Sequence, residues 1–287
     1  DIHASSRYSQ PTSLNKFVKF AYEEYGVRHI MLPGDLTDGV YVYRGHLDEL
    51  IPQCRPQSRD RSWTTAQASA ELIDIYLPKM DGLTYFAIGG NHDRSIIINS
   101  GMDPIRMLCD RRPDIHYGGY DVWSIHLTER TYIRLLHPTG GPAYARSYQP
   151  QKAIESLAFE ALRKAMEEDT TNHTPEPPMH GLLAGCFQGI TPYLKAKRLT
   201  PHIAGIIVEN RFDNQGRPSL FSHTPVYFSE IENDWKNWPT PSAHDVDLTA
   251  DELESLLKFT GEAMSRISWG LSAIRSHAPC DPADRTT

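Results

Sequence analysis

Twice in the N-terminal third of the chain, an amphipathic stretch runs into a short apolar segment and then directly into a loop of glycine and metal-capable side chains. The first pass is residues 11–26, where Leu14, Phe17, Val18 and Tyr22 recur at helical spacing before Gly26. Arg28 to Pro33 then reads as a buried strand and leads into Gly34-Asp35-Leu36-Thr37-Asp38-Gly39. The second pass is residues 64–80, with Ala68, Leu72, Ile75 and Tyr76 on one face, then a strand over Leu83 to Ile88, then Gly89-Gly90-Asn91-His92-Asp93. Such a repeat of helix, strand and loop restricts the chain to an α/β fold that gathers ligands at the carboxyl ends of its strands.

The remainder of the chain extends this pattern. Residues 103–112 suggest a short helix, and segments near 114–117, 120–127 and 130–136 read as strands, the last leading into His137. Residues 149–168 form a long helical pattern that ends in a charged, proline-rich stretch from Glu167 to Pro178. Beyond Gly181 the chain turns β-rich. Ala204 to Glu209 and Ser219 to Ser222 flank a turn over Asn210 to Pro218, which is a hairpin pattern. Pro239-Thr-Pro-Ser-Ala reads as a linker. Thr249 and Glu252 then form a capping box for a last amphipathic helix carrying Leu253, Leu256, Leu257, Met264 and Ile267. The sequence therefore divides into a domain over 1–238 and a linker with a C-terminal helix over 239–287.

Bulk properties narrow the partners. With 287 residues the chain can bury a core without disulfide or metal staples. It carries 36 acidic against 29 basic residues, a net charge of −7, so a generally basic nucleic-acid surface is not evident, though a local basic groove is compatible. Cys54, Cys109, Cys186 and Cys280 are widely spaced with no C-x-x-C pair, which reads as free thiols. No apolar run reaches the roughly 18 residues of a membrane span, and no leader pattern is visible. A cytoplasmic protein without a membrane partner is the expectation.

The chemistry lies in three strings: Asp1-Ile2-His3, the Gly34–Gly39 loop and the Gly90–Asp93 loop. Asp1 and His3 alternate, so on an extended segment both would point to one side and bind one metal together. Asp35, after a glycine at a strand end, suits a carboxylate bridging two metals. Asn91 offers a neutral oxygen, and His92 beside it points elsewhere. Two divalent metals about 3.5–4 Å apart supply both a nucleophile at neutral pH and charge compensation for a phosphoryl group. In this order and spacing the strings resemble the calcineurin-like metallophosphoesterase superfamily. That resemblance implies a four-layer α/β/β/α sandwich over about residues 1–235 and a site of two divalent ions (Mn²⁺, Fe or Zn²⁺) held by Asp1, His3, Asp35, Asn91 and His137. It also implies that His92 is the general acid or phosphate clamp, oriented by Asp38.

A further block, His137-Pro-Thr-Gly-Gly-Pro-Ala-Tyr-Ala-Arg-Ser-Tyr-Gln-Pro-Gln-Lys152, is similar to a phage- and archaeal-type branch of these enzymes, as is Ala184-Gly-Cys-Phe-Gln188 with Thr191-Pro192. Gly140 and Gly141 can present backbone N–H groups to an anion. Arg94, Arg146 and Lys152 suit phosphate, and Tyr144 or Tyr148 suits a base. The implied activity is hydrolysis of a phosphoester, as a phosphodiesterase or nuclease. The acidic net charge fits a small-molecule or protein phosphatase as the alternative, and a catalytically impaired binding module is the reading from another class. A nucleic-acid enzyme would draw a positive groove from Arg94, Arg146, Lys152, Lys195, Lys197 and Arg198.

The chain departs from the family in two places. The expected GHxH string is missing: His173 and His180 stand nearest, and Pro175 occupies the second histidine's place. The Asp1-Ile2-His3 string also has no strand before it, so a fragment, an internally deleted form or a degenerate homologue is expected. With those ligands gone, both metal positions are expected to be weakened.

Overall fold

Two crossovers build the central sheet. Strand β1 (His29–Pro33) pairs in parallel with β2 (Thr84–Gly89), in register from His29 opposite Thr84 to Pro33 opposite Ile88. β2 pairs in parallel with β3 (Ile115–Tyr120), giving the order β1-β2-β3. Helix α1 (Pro11–Tyr25) precedes β1, and α2 (Trp63–Tyr76) connects β1 to β2. α3 (Asn91–Ser100) and α4 (Pro104–Arg111) connect β2 to β3. Two antiparallel pairs complete the mixed α/β architecture: β4 (Val122–His126) with β5 (Tyr132–Leu136), and β6 (Ala204–Phe212) with β7 (Pro218–Tyr227). The computed structural model describes residues 1–56, 63–129, 131–138, 151–156 and 180–241, all within the unit Asp1–Ser242. No described helix is long and apolar enough to cross a membrane.

Local rules explain most element ends. α1 starts with Pro11 at its first position and buries Leu14, Phe17, Val18 and Ala21. α2 stops earlier than its sequence pattern suggests, because Pro78 denies the chain another helical turn. Asp103 caps α4 by accepting from the N–H groups of Ile105 and Arg106. The hairpin is longer than expected, and its turn shrinks to Asp213–Arg217. There the Asp213 carboxylate accepts from the N–H groups of Gln215 and Arg217 at 2.8 and 2.9 Å. Residues 151–156 are helical. The rest of the expected 149–168 helix and the capped helix beginning at Thr249 lie outside the described residues.

Among the described residues an apolar cluster joins the sheet to its surroundings. It runs from Leu72, Ile73 and Tyr76 of α2 through Tyr85 and Ile115 to Phe17, Phe187, Ile203 and Ile207. Arg112 is buried where α2, α4 and β3 meet. It donates to Asp74 at 2.9 Å, to the Leu77 carbonyl at 3.1 Å and to both oxygens of Asp114. Asp234 accepts from the backbone N–H and the hydroxyl of Thr12, and the Trp238 indole N–H donates to the same hydroxyl, which docks the residues after β7 onto the start of α1. The consequence for function is positional. The loops after β1 and β2 and the residue after β5 meet at one end of the sheet, where the His137 N–H donates to the Asp121 carbonyl and the Asp121 N–H donates to the Gly89 carbonyl.

Candidate metal centre

The loop after β1 can fold back on itself because Gly34 takes a left-handed φ of +100° and lacks a Cβ, which would collide with the His137 ring. Gly90 is required for a similar reason. A Cβ there would strike Asp35 Oδ1 and His137 Nε2, so the missing side chain leaves room at those donor atoms. His3 and Asp35 are themselves left-handed, at φ +49° and +47°. This geometry costs about 1–2 kcal/mol per non-glycine residue and persists where surrounding contacts impose it. Here the contacts are the N–H groups of Ile2 and His3, both donating to the Asp35 carbonyl, and that of Ala4, donating to the Leu36 carbonyl. From the other side, the Phe187 N–H donates to the Asp1 carbonyl.

Asp93 joins the two ligand loops. One oxygen accepts from the N–H and hydroxyl of Thr37, both at 2.7 Å, and the other from the N–H groups of Gly90 and Leu36 at 2.9 and 3.1 Å. Burial and the nearby Asp35 charge push its carboxyl up to about 6, against the pull of those donors. The His92 N–H donates to Asp35 Oδ1 at 2.9 Å, which ties the start of α3 to the loop after β1.

The first cluster is Asp1, Asp35 and His137, whose ligand atoms lie within 4.8 Å of one another, with Asn91 alongside. His137 Nδ1–H donates to the Pro33 carbonyl at 3.0 Å, which leaves the lone pair on Nε2. That nitrogen lies 3.2 Å from Asp35 Oδ2 and 3.1 Å from Asn91 Oδ1. Three acceptor atoms therefore face one another, an arrangement that a cation satisfies, either a proton on the ring or a metal ion. Burial disfavours the charged His137 ring, yet the contact with Asp35 overrides this and raises its pKa. Burial likewise pushes the Asp35 carboxyl up, but His137, His92 and His3 outweigh it and hold the group well below the usual carboxylate range. Two carboxylates, an amide oxygen and an imidazole form a donor set suited to Mn²⁺, Fe or Zn²⁺.

The second cluster is His3, Asp38 and His92. Asp38 is fully buried. Its Oδ1 accepts from His3 Nδ1–H at 2.9 Å and from the Gln188 side-chain amide at 3.1 Å. Its Oδ2 lies 3.2 Å from His46 Nε2, a contact at ion-pair distance whose alignment falls short of a hydrogen bond. Burial opposes ionisation of Asp38, but His3 and His46 prevail and hold its carboxyl far below the ordinary range. His92 Nδ1–H donates to the Asp38 backbone carbonyl at 2.5 Å, and its ring meets that of His3 edge-on at 4.7 Å. Burial, reinforced by the His3 charge, lowers the His92 pKa.

Two expectations are corrected by these positions, those for the Asp1–His3 pair and for Asp38, and the other candidates fall as follows. Asp1 and His3 do not share one face of an extended segment, because the left-handed turn at His3 sends the two side chains to different clusters. Asp38 meets His92 through its backbone carbonyl, while its carboxylate turns to His3 and His46 and stays 3.8 Å from His92 Nδ1. Arg94 is engaged by Asp121 at 2.5 Å and lies over the Tyr120 ring. His180 is exposed and stacks flat on Phe221 of β7 at 4.1 Å, in neither cluster. Lys152 pairs with Glu155 at 3.3 Å, while Lys195, Lys197 and Arg198 are exposed on and after the short helix Pro192–Ala196. Gly140, Gly141, Tyr144, Arg146, Tyr148 and His173 lie outside the described residues.

His46, Gln188 and Asp93 are the participants that sequence reasoning missed. Asp93 and Gln188 stand inside strings already singled out, whereas His46 has no motif signal at all. No family model matches the chain, and a search of curated proteins finds no match.

Proposed function

We propose that the chain is a metal-dependent phosphoester hydrolase. The observation that carries this reading is the convergence of Asp35 Oδ2 and Asn91 Oδ1 on His137 Nε2, two acceptor oxygens within 3.2 Å of the imidazole nitrogen, with Asp1 beside them. Asp1, Asp35, Asn91 and His137 would hold a divalent ion, and His3 would present its Nε2 to a second. When bound, such ions supply a water nucleophile at neutral pH and offset the charge of the phosphoryl oxygens. The protein's own contribution is positional. Asp93 holds the two loops together, the Pro33 carbonyl fixes the His137 tautomer, and Gly90 keeps the donor atoms uncrowded. His92, held at Nδ1 by the Asp38 carbonyl, keeps Nε2 to hold or pass a proton on the leaving-group side.

The finer fold reading is a four-layer α/β/β/α sandwich. It is supported by the parallel sheet with its connecting helices and by the separate β6–β7 sheet packed on α1, where Phe17 sits against Gly205. For the substrate class we favour phosphodiesters, which the resemblance carried by the His137–Lys152 block implies. Hydrolysis of bis-p-nitrophenyl phosphate and p-nitrophenyl phosphate with added Mn²⁺, in wild type and His92→Ala, tests the reading. Mn²⁺-dependent turnover that favours the diester and collapses in His92→Ala is expected. Turnover undiminished in that variant overturns the role given to His92.

A further inference from the structure

We propose that His46 is a positioning residue of this centre, acting through Asp38 to fix the tautomer and orientation of His3; the inference rests on the metal-centre reading of the His3 cluster. His46 sits on the 3₁₀ turn His46–Glu49, and its side chain is wholly buried. The Val42 N–H donates to His46 Nδ1 at 3.3 Å. That nitrogen therefore keeps its lone pair, and the ring proton is on Nε2, which faces Asp38 Oδ2 at 3.2 Å. Neither His46 Nε2 nor Asp38 Oδ2 has a hydrogen-bond partner among the described residues, so this ion-pair contact is what each atom has to offset its burial there.

The opposite oxygen of Asp38 is committed as well, to His3 Nδ1–H and the Gln188 amide. The carboxylate is thus held from both sides, and its grip on His3 Nδ1 leaves the His3 lone pair on Nε2, the nitrogen free to bind an ion. A ligand histidine oriented by a carboxylate is an ordinary arrangement. The addition here is a second histidine behind the carboxylate, fixed in turn by a backbone N–H. His46 also packs between rings, 4.5 Å from Tyr43 and 5.6 Å from His92, which leaves it little freedom to rotate away.

The test compares His46→Leu, which removes the donor, with His46→Gln, which can restore one near the Nε2 position. Long-range ¹H–¹⁵N spectra of the metal-free full chain read the His3 tautomer, and calorimetric Mn²⁺ titration reads affinity. The expected result for His46→Leu is loss of the single Nδ1–H tautomer at His3 and Mn²⁺ affinity weakened about 10–100-fold, with both recovered in His46→Gln. If His46→Leu does not fold, His46→Asn, polar but too short to reach Asp38, takes its place with the same expectation. An unchanged His3 tautomer in the donor-free variant overturns the proposal. Equal loss of Mn²⁺ affinity in both variants with the His3 signal intact also overturns it, and makes His46 a ligand. Absence of Mn²⁺ binding by the wild type defeats the metal-centre reading separately, because the tautomer comparison uses metal-free protein.

Discussion

Asp35 and Asp38 lie on one loop, both buried and both ionised, yet their surroundings are opposite in kind. Around Asp35 Oδ2 the neighbours are acceptors: the Nε2 lone pair of His137 and, beside it, the Asn91 oxygen. Around the Asp38 carboxylate the neighbours are donors: His3 Nδ1–H, the Gln188 amide and the Nε2–H of His46. A carboxylate ringed by donors is complete without a ligand, whereas converging acceptors call for a cation. The same residue type, three positions apart, thus supports two roles, and only the partners distinguish them.

This contrast predicts that substitutions at the first aspartate cost function and those around the second cost stability. The largest effect is expected for Asp35→Asn: a fall of about 10³-fold or more in Mn²⁺-dependent kcat/KM on bis-p-nitrophenyl phosphate, roughly 4 kcal/mol of transition-state stabilisation. Asp93→Ala comes next. It strands three N–H donors and the Thr37 hydroxyl, and unfolding in urea should show a loss of about 3 kcal/mol. For Asp38→Asn, whose amide nitrogen must face a donor, a loss of about 1–3 kcal/mol is expected. Wild-type stability in that variant together with abolished Mn²⁺ binding would break the contrast by making Asp38 a ligand.

The smallest effect concerns pH in the metal-free protein. Asp38 has a folded pKa below its unfolded value, so its contribution is present above about pH 4 and is lost as pH falls further. Asp93 has the opposite sign. Its folded pKa is raised to about 6, so between pH 6 and about 4 the native state binds a proton that the unfolded chain does not, and stability rises as pH falls through that window. Urea midpoints across this range should therefore pass through a maximum near pH 4–5. In Asp93→Ala the rise, on the order of 1 kcal/mol, should disappear, leaving only the acid-side fall.

Much of the scaffold was legible in the sequence because its signals are local. Periodic apolar residues marked α1, and short apolar runs ending in glycine marked β1 and β2, so the loops after those strands were found together with Asp35, Asn91 and His92. What stayed hidden depends on distance or on backbone sign. The alternation of Asp1 and His3 assumed extended backbone, and the left-handed φ at His3 depends on contacts with a loop that is remote in sequence. Asp38 was expected to orient His92 because both stand in recognised strings, but its carboxylate is taken by His3, by Gln188 from the far end of the domain and by His46, which no string contains. The end of α2 departs from its sequence pattern for a simpler reason, since apolar periodicity continues past Tyr76 while Pro78 does not allow the helix to do so.

The most direct test of the contrast is calorimetric titration of Mn²⁺ into wild type, Asp35→Asn and Asp38→Asn at one pH. The account predicts saturable binding by wild type, none by Asp35→Asn, and weakened but measurable binding by Asp38→Asn. An Asp35→Asn isotherm that superimposes on wild type would contradict it.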